Sequence, residues 1–339
     1  MSYISFQPKD YFNTHLYSGN DTTNNQQVGL TPDLVWVKCR NNATPSHYWV
    51  DKVRGDKKYI SSNATTAEQT DSNTFDLVSG GFNLAGGNGW TNLTGRTYAS
   101  WNWKANGAGS SNTDGSITST VSANTTSGFS INLFTATGSA GTIGHGLNAV
   151  PKMILVKDTN GTGSWQVYHA SLGATKYLAL NENIAAGTAS NRWNDTTPTS
   201  SVFSIGSEWS SGKTLIAYCF AQKSGFSSMG SYVGNGSTDG SFIFTGFKPA
   251  FVMYKNSSVA GGHWQIYDNK RLGYNGANKV LRANLTNAEA DDEIDLLSNG
   301  FKCRATNNKN NNHSGVTYIY MAFSDQSIVS SNGLPATAR

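Results

Sequence analysis

One short pattern, a proline followed by a nearly unbroken apolar run and a lysine, occurs three times at wide intervals in this sequence. Its copies are TPDLVWVK (31–38), VPKMILVK (150–157) and KPAFVMYK (248–255). Four landmarks follow each copy in one order: a tryptophan in an apolar setting, a segment ending in asparagine, an apolar run with a turn and an aromatic residue, and a seven-residue segment. The last of these reads TYASWNW (97–103), TLIAYCF (214–220) and TYIYMAF (317–323). Five landmarks in one order predict three copies of a domain-sized module, because the intervals are too long for a solenoid repeat.

The apolar run itself predicts a buried strand. DLVWVK and its two counterparts are apolar on both faces, and the proline stands at the first position, where a strand does not need its N–H group. Lys38, Lys157 and Lys255 are predicted to mark the exit of each strand into solvent. A short apolar run could also be a buried helical segment, but the β-branched and aromatic content favours the strand.

The composition agrees with a folded chain built from strands. Only 14% of the residues are charged and 12% are aromatic, whereas disordered chains are rich in charge and poor in aromatic residues. The sequence therefore predicts an all-β fold of three tandem β-sandwich, jelly-roll-like modules with long loops rich in Gly, Asn, Ser and Thr.

Changes in composition suggest where the modules begin and end. The predicted modules are 1–105, 128–223 and 230–326, with linkers at 106–127 and 224–229 and a C-terminal tail at 327–339. The first linker is rich in small polar residues, so the first two modules are expected to flex, whereas the second pair is expected to be packed or rigidly placed. The N-terminal module departs most from the other two and is the expected docking end.

Tryptophans supply the first set of candidate functional residues. The recurring ones are Trp49, Trp165 and Trp264. Their alternating apolar neighbours predict anchors of the core, and the alternative is a set of surface rings that stack on sugars. Trp90, Trp193 and Trp209 lie in Asn- and Gly-rich surroundings and are the better candidates for exposed residues that contact a ligand.

An acidic run supplies the second set. EADDEID (289–295) groups Glu289, Asp291, Asp292, Glu293 and Asp295, and clustered carboxylates can chelate a cation or transfer protons. Neither of the other modules has this run, so an acidic surface loop is favoured, with Asp291 and Asp292 as candidate ligand contacts.

No metal site, cofactor or catalytic residue is predicted. DTNGTGS (158–164) begins like a calcium loop, but its twelfth position is His169 instead of glutamate, so a plain turn is favoured. His47 and His263 precede the recurring tryptophan without a second ligand two or four residues away. The sequence has no G-x-S-x-G elbow, H-E-x-x-H motif or P-loop.

Charge and hydropathy exclude two classes of partner. The net charge of +4 is small and the basic residues are scattered, so nucleic-acid binding is not expected. No stretch approaches the roughly 20 apolar residues of a membrane span, and the N-terminus does not look like a secretory signal peptide.

Several long strings resemble a known family. HGLNAVPKMILVKD, SWQVYHASLG and IAYCFAQKSGFSSMGSYVGNGSTDGSFIFTGFKPAFVMYKN resemble a repeat module widespread in virion-associated, often tail-fibre-like, proteins of marine tailed bacteriophages. DYFNTHLYSGN and PDLVWVKCRN are similar to the N-terminal form of that module. The resemblance covers about residues 10 to 325.

The resemblance implies a non-enzymatic structural protein of a phage virion, assembled in the cytoplasm of the host bacterium. A tail- or head-fibre-like attachment module is the expected role, with several weak sites adding avidity. The expected partners are capsid or tail subunits, host cell-surface glycans and further copies of the chain on the particle.

Two alternatives stay open at this point. The chain could be a decoration, or cement, protein whose modules contact neighbouring capsid or tail subunits. It could also be a glycan-degrading virion enzyme, because a catalytic pair of carboxylates assembles in space and needs no sequence motif.

Overall fold

The computed structural model of the protein describes residues 6–271, 278–292, 294–306 and 308–326. Throughout these ranges the chain consists of antiparallel strands and loops, apart from a 3₁₀ turn at Pro8–Asp10 and a four-residue helix, α1 (Ser190–Trp193). The predicted all-β fold class is therefore confirmed. Within the same ranges no helix is long and apolar enough to cross a membrane. The predicted tail at 327–339 and Glu293 lie outside the described residues.

The strands fall into three groups along the chain, which we name units 1 to 3. Unit 1 (12–103) contains β1 (Phe12–Ser18), β2 (Asn24–Gln27), β3 (Leu34–Cys39), β4 (Tyr48–Asp51), β5 (Lys58–Ile60), β6 (Gln69–Thr70), β7 (Thr74–Val78), β8 (Gly81–Ala85) and β9 (Thr97–Trp103). Unit 2 (110–221) contains β10 (Ser110–Asn112), β11 (Ser119–Asn124), β12 (Phe129–Thr135), β13 (Gly141–Gly144), β14 (Pro151–Asp158), β15 (Gln166–His169), β16 (Lys176–Ala179), β17 (Gly187–Thr188), α1, β18 (Val202–Ile205) and β19 (Thr214–Ala221). Unit 3 (227–323) contains β20 (Ser227–Val233), β21 (Phe242–Phe244), β22 (Phe251–Asn256), β23 (Gln265–Asp268), β24 (Asn278–Arg282), β25 (Ala290–Asp292), β26 (Ile294–Leu297), β27 (Gly300–Cys303) and β28 (Thr317–Phe323).

Each unit has a large sheet and a small sheet. The large sheets have the order β1-β9-β3-β4-β5-β6 in unit 1, β12-β19-β14-β15-β16-β17 in unit 2 and β20-β28-β22-β23-β24-β25 in unit 3. The three orders are equivalent, because strands that carry the same sequence landmark hold the same place in each sheet. For example, β3, β14 and β22 carry the opening pattern and are third in each order. The small sheets are β2-β8-β7, β13-β18 and β21-β27-β26. A buried apolar cluster fills the space between the two sheets of each unit, as in a β-sandwich.

The predicted linker at 106–127 is wrong. β10 and β11 lie inside it and pair with β12, so they extend the large sheet of unit 2 to eight strands. β10 is the edge strand and is largely exposed, and β11 beside it buries mainly small residues, so the composition of both strands looks like that of a linker. The shorter predicted linker, 224–229, also ends within a strand, because β20 begins at Ser227.

The large sheets are buried on both faces, as the apolar runs predicted. In β3, Val35, Val37 and Cys39 point into the core between the two sheets of unit 1. Leu34 and Trp36 point to the opposite face, into a second cluster that contains residues from all three units. We call this second cluster the central core. Its members include Trp101, Trp103, Ile216, Phe220, Ile319 and Phe323.

Three aromatic residues mark the centre of the central core. Trp103, Phe220 and Phe323 are the last residues of the three seven-residue landmarks. Their ring centroids are 6.3 Å apart for Trp103 and Phe220, 5.8 Å for Trp103 and Phe323, and 5.8 Å for Phe220 and Phe323. Equivalent side chains that meet in a nearly equilateral triangle define a pseudo-threefold axis, around which the three large sheets are arranged.

Backbone hydrogen bonds close the units into a ring. The landmark asparagines, which end the second landmark segment of each unit, are Asn63, Asn181 and Asn284. In each bond the donor is the N–H group of the fifth residue after this asparagine. The acceptor is the carbonyl of the second residue after the lysine of the opening pattern in another unit. The bonds run from Glu68 to Thr159 (2.9 Å), from Ala186 to Ser257 (2.8 Å) and from Glu289 to Arg40 (2.8 Å). Unit 1 thus contacts unit 2, unit 2 contacts unit 3 and unit 3 contacts unit 1, so the contacts are head-to-tail and the ring is closed. The first two units are packed together, contrary to the flexible junction expected.

Candidate functional site

Two of the recurring tryptophans connect neighbouring units. Trp165 and Trp264 are buried in the central core. The Nε1–H group of Trp165 donates to the carbonyl of Ser61 in unit 1, and that of Trp264 donates to the carbonyl of Ala179 in unit 2, both at 2.9 Å. These tryptophans therefore stabilise the ring, in addition to the unit to which each belongs.

The third recurring tryptophan, Trp49, is out of register with the other two. The main-chain N–H groups of Trp165 and Trp264 donate to the side chain of the landmark asparagine of their unit, and in unit 1 it is His47 that donates to Asn63, at 2.8 Å. The sequence alignment therefore placed Trp49 two residues away from its counterparts.

His47 makes the corresponding contact between units. Trp36 Nε1–H donates to His47 Nδ1 (2.8 Å), so the ring proton lies on Nε2, which donates to the carbonyl of Arg282 in unit 3 (2.9 Å). Trp49 is also buried in the central core, where its ring packs against those of Trp165 and Tyr218, each 5.2 Å away between centroids.

Two of the three contacts between units contain a buried aspartate. Tyr218 Oη of unit 2 donates to Asp51 Oδ2 of unit 1 at 2.7 Å, and Trp101 Nε1 of unit 1 donates to Asp268 Oδ2 of unit 3 at 3.0 Å. Each aspartate also forms an ion pair with the arginine three residues later, Arg54 in one case and Arg271 in the other, and all four charged groups are almost entirely inaccessible to solvent. Sequence analysis missed these residues, although D-x-x-R after the landmark tryptophan in units 1 and 3 is a readable signal.

The third contact between units replaces the charged pair with neutral residues. Met321 holds the position of Trp101 and Tyr218 and has no group to donate. His169 stands where the other units have aspartate, and Leu172 stands where they have arginine. His169 Nδ1 accepts from the Ser171 N–H group, so its Nε2–H group donates to the carbonyl of Tyr320 at 3.1 Å. A buried aspartate thus occurs at the two contacts where the neighbouring unit supplies a side-chain donor for its carboxylate.

The lysines of the opening pattern do not reach solvent, contrary to prediction. Lys38, Lys157 and Lys255 are fully buried, and burial lowers the pKa of each to about 8. Lys157 Nζ donates to the carbonyl of Thr65 in unit 1 (3.1 Å), and Lys255 Nζ donates to the carbonyl of Ile184 in unit 2 (2.9 Å). The neighbouring unit supplies these acceptors, and the sequence of a single unit cannot show them.

The predicted ligand-contact tryptophans separate into two groups. Trp193 and Trp209 are 1% and 7% exposed and belong to the core between the sheets of unit 2, so they are not surface contacts. The small sheet of unit 2 has two strands where the other small sheets have three, and both indole rings are part of the buried cluster that this sheet covers. Trp90 is partly exposed at the surface of unit 1.

The acidic run does not form one site. Asp291 and Asp292 lie on β25, the outermost strand of the large sheet of unit 3. Asp291 pairs with Lys279, and Asp292 Oδ2 accepts from Tyr267 Oη at 2.8 Å. Glu289 leaves the run to form a bidentate pair with Arg40 of unit 1, with both N–O distances 2.9 Å. Among the described residues no group of three or more His, Cys, Asp or Glu side chains is placed to hold a metal ion.

A cavity of about 260 Å³ opens beside Trp90. Its walls include Ser46, Tyr59, Thr66, Gln69 and Trp90, all from unit 1. The Tyr59 and Trp90 rings meet edge to face, with centroids 5.3 Å apart and planes at 89°. The cavity therefore combines two aromatic walls with hydroxyl and amide groups, which is the usual character of a small-molecule site.

All three units of the ring lie within the match to one protein family. A family model described as domain of unknown function DUF7483 matches residues 7–327. The chain belongs to this family. The residues that match the DUF7483 model include all of units 1 to 3. A comparison of this DUF7483 chain with curated proteins found no match.

Lowering the pH should destabilise the DUF7483 ring at the contact formed by His169. Burial lowers the pKa of His169 from its ordinary 6.5 to about 4 and also lowers the pKa of His47. Between pH 6.5 and 4 the unfolded chain binds a proton that the folded chain does not, so the stability is complete above pH 6.5 and is lost as the pH falls through 4. His169 alone should contribute a loss of roughly 3 kcal/mol. Urea unfolding at several pH values measures this loss.

The variant His169→Gln serves as the control for that measurement. Glutamine keeps a donor for the Tyr320 carbonyl but does not titrate, so the dependence of unfolding free energy on pH between 6.5 and 4 should become shallower. A slope equal to that of the unchanged protein would show that His169 is not the group responsible.

Proposed function

We propose that this chain is a non-enzymatic structural protein of a bacteriophage virion that serves as a tail- or head-fibre-like attachment module. The sequence resemblance described above suggests this role. The observation that carries the proposal is the closed pseudo-threefold ring. Virion appendages and capsid lattices are built on rotational symmetry, and a ring with a threefold axis can meet such a site with three similar surfaces.

The use of charged groups in the ring also supports a structural role. Asp51 accepts hydrogen bonds from Tyr218 and from the backbone and side chain of Arg54, and Asp268 is surrounded in the same way. Glu289 is held by Arg40. These carboxylates stabilise contacts between units and have little hydrogen-bonding capacity left for a substrate. Buried carboxylates that stabilise contacts between units fit an attachment role better than a catalytic one.

Purified virions of the phage that encodes this chain should contain it. The prediction is that the chain remains with the particles through density-gradient purification and is identified there by quantitative mass spectrometry. Immunogold labelling with an antibody against the chain should then mark a fibre at the tail or head. Recovery of the chain only from lysate, with none on the particles, would contradict the proposal.

A capsid or tail decoration protein is the second candidate, and one observation favours it. Phe242 and Phe244 on β21 are 47% and 65% exposed, and Val233 is 55% exposed, all three in unit 3. Exposed apolar residues that lie close together are typical of protein contact surfaces. A copy number close to that of the capsid or tail subunits would favour decoration, whereas a few copies per particle would favour a fibre.

A further inference from the structure

We propose that the cavity beside Trp90 binds a neutral saccharide. This inference rests on the proposed attachment function, because it names the chemical class of the surface to which the chain would attach. All residues that line the cavity belong to unit 1. One of them, Ser61, also accepts a hydrogen bond through its carbonyl from the indole of Trp165 in unit 2.

The chemistry of the walls defines the class of ligand. Trp90 and Tyr59 offer aromatic surface, against which the C–H face of a sugar ring packs well. Ser46, Thr66 and Gln69 offer hydroxyl and amide groups for the sugar hydroxyls. None of the lining side chains is charged, so a phosphate or carboxylate would enter without a cation to pair with it. A neutral, hydroxyl-rich ligand is the one that matches these walls.

Cavity-lining donors are available for such a ligand. Within the described part of the chain, no hydrogen bond is made by the side chains of Tyr59, Thr66 or Trp90. The cavity of about 260 Å³ is slightly smaller than the roughly 300 Å³ at which pockets for drug-sized ligands begin. One sugar ring, or the end of a longer chain, fits that size.

The aromatic walls are held in place before any ligand arrives. The loop that carries Trp90 is fixed by Asn88, whose Oδ1 accepts from the Trp90 N–H group (2.8 Å) and whose Nδ2 donates to Asp71 (2.5 Å). Asp71 also accepts from Tyr48 Oη, and the Tyr48 ring stacks on Tyr59 with centroids 4.2 Å apart. Because both walls are fixed through Asp71, binding would cost little side-chain ordering.

Comparison with the other units shows that this surface is open in unit 1. Tyr177 is the counterpart of Tyr59 in unit 2, and the guanidinium of Arg192 covers its ring at 4.8 Å. In unit 3 the same position is Val280, which has no aromatic ring. Within the described ranges, the ring of Tyr59 in unit 1 therefore lacks the arginine that covers the equivalent ring in unit 2.

Saturation-transfer NMR of the whole chain with separate saccharides tests the proposal. The probes are glucose, galactose, N-acetylglucosamine and their β-linked disaccharides, with glucuronic acid as the charged comparison. We expect saturable binding of at least one neutral probe. Trp90→Ala should weaken its affinity about ten-fold, the value expected for loss of one aromatic contact of 1.4 kcal/mol.

Two further variants keep the result interpretable. Thr66→Arg changes an exposed lining residue, places a guanidinium at the cavity as in unit 2, and should also weaken binding, so the test does not depend on the folding of Trp90→Ala. Phe244→Ala removes an exposed aromatic ring of unit 3 that does not line the cavity and should bind as the unchanged protein does. Circular dichroism verifies that each variant is folded.

The proposal is overturned if no neutral probe binds, if only glucuronic acid binds, or if binding survives both Trp90→Ala and Thr66→Arg. Failure here is distinguishable from failure of the attachment role, because the presence of the chain on virions is measured without any saccharide. Chains found on particles that bind no neutral probe would sink the saccharide site and leave the attachment role standing.

Discussion

Asp268→Ala is expected to lower the free energy of unfolding by about 3 to 5 kcal/mol, the usual cost of leaving one partner of a buried ion pair alone. Arg271 is fully buried, and its Nε atom lies 2.6 Å from Asp268. The substitution leaves this cation with only the more distant carboxylate of Glu289, 3.8 Å away, and removes the acceptor of the Trp101 indole from unit 1. Urea unfolding followed by tryptophan fluorescence measures the effect.

An exposed acidic residue of the same unit provides the matched control. Asp239 pairs with Lys302, but its side chain is 83% exposed, so solvent screens the pair. Asp239→Ala should leave the midpoint of unfolding unchanged. Equal losses for the two alanine variants would show that the buried pair has no special role in the contact.

The neutral contact between units 2 and 3 suggests a way to restore stability. The triple variant Asp268→His, Arg271→Leu and Trp101→Met carries the residues found at that contact. Because it removes both buried charges and the indole that needs an acceptor, it should be more stable than Asp268→Ala. A triple variant less stable than Asp268→Ala would contradict the view that these three positions act together.

Trp103→Ala is the second substitution with a large expected effect, again about 3 to 5 kcal/mol, as for other buried aromatic residues replaced by alanine. The Trp103 ring contacts Phe220 of unit 2 and both Phe251 and Phe323 of unit 3. Loss of the ring therefore removes contacts from all three units at once. We expect one cooperative unfolding transition that moves as a whole to lower urea concentration.

Phe244→Ala is the control for this variant, since the Phe244 ring is exposed and should contribute little to stability. Unfolding is best followed by two probes, fluorescence and circular dichroism, because coincident curves indicate a single transition. A second transition at the urea concentration of the unchanged protein would mean that units 2 and 3 do not depend on Trp103.

The strands could be predicted from the sequence because their pattern is local. In β3 the alternation of Leu34 and Trp36 with Val35 and Val37 places apolar residues on both faces, and the structure buries both. The pattern does not say what covers each face. One face is covered by the small sheet of the same unit, and the other by units more than a hundred residues away in the chain.

The predictions that were wrong failed because they depend on contacts with distant parts of the chain, which a local pattern does not show. Lys157 reads as the end of a buried strand, yet the carbonyl that binds its ammonium belongs to Thr65 in another unit. The residues of β10 and β11 look like a linker because β10 is a largely exposed edge strand and β11 beside it is built mainly from small residues. Trp49 and Trp165 share a residue type but not a position, because in unit 1 it is His47 that donates to the landmark asparagine.

The candidate site was only partly predictable for a related reason. Trp90, Trp193 and Trp209 all lie in Asn- and Gly-rich loops, and nothing in those loops states whether the ring points outward. Trp193 and Trp209 fill the core of a unit whose small sheet is short of a strand, whereas Trp90 borders a cavity. The difference depends on what each loop packs against in the folded chain, which no local pattern records.

The three units of the ring belong to one polypeptide, so the stability of the ring should not depend on protein concentration. A trimer of separate chains has a stability that depends on the concentration of its protomers and falls apart when few copies are present. Here the peptide chain between Trp103 and β10, and between β19 and β20, keeps the units at a fixed effective concentration. A single copy released into a large volume therefore stays closed. Covalent linkage also allows the residues of one contact to differ from those of the other two. The contact between units 2 and 3, which has His169 and Met321, differs in this way.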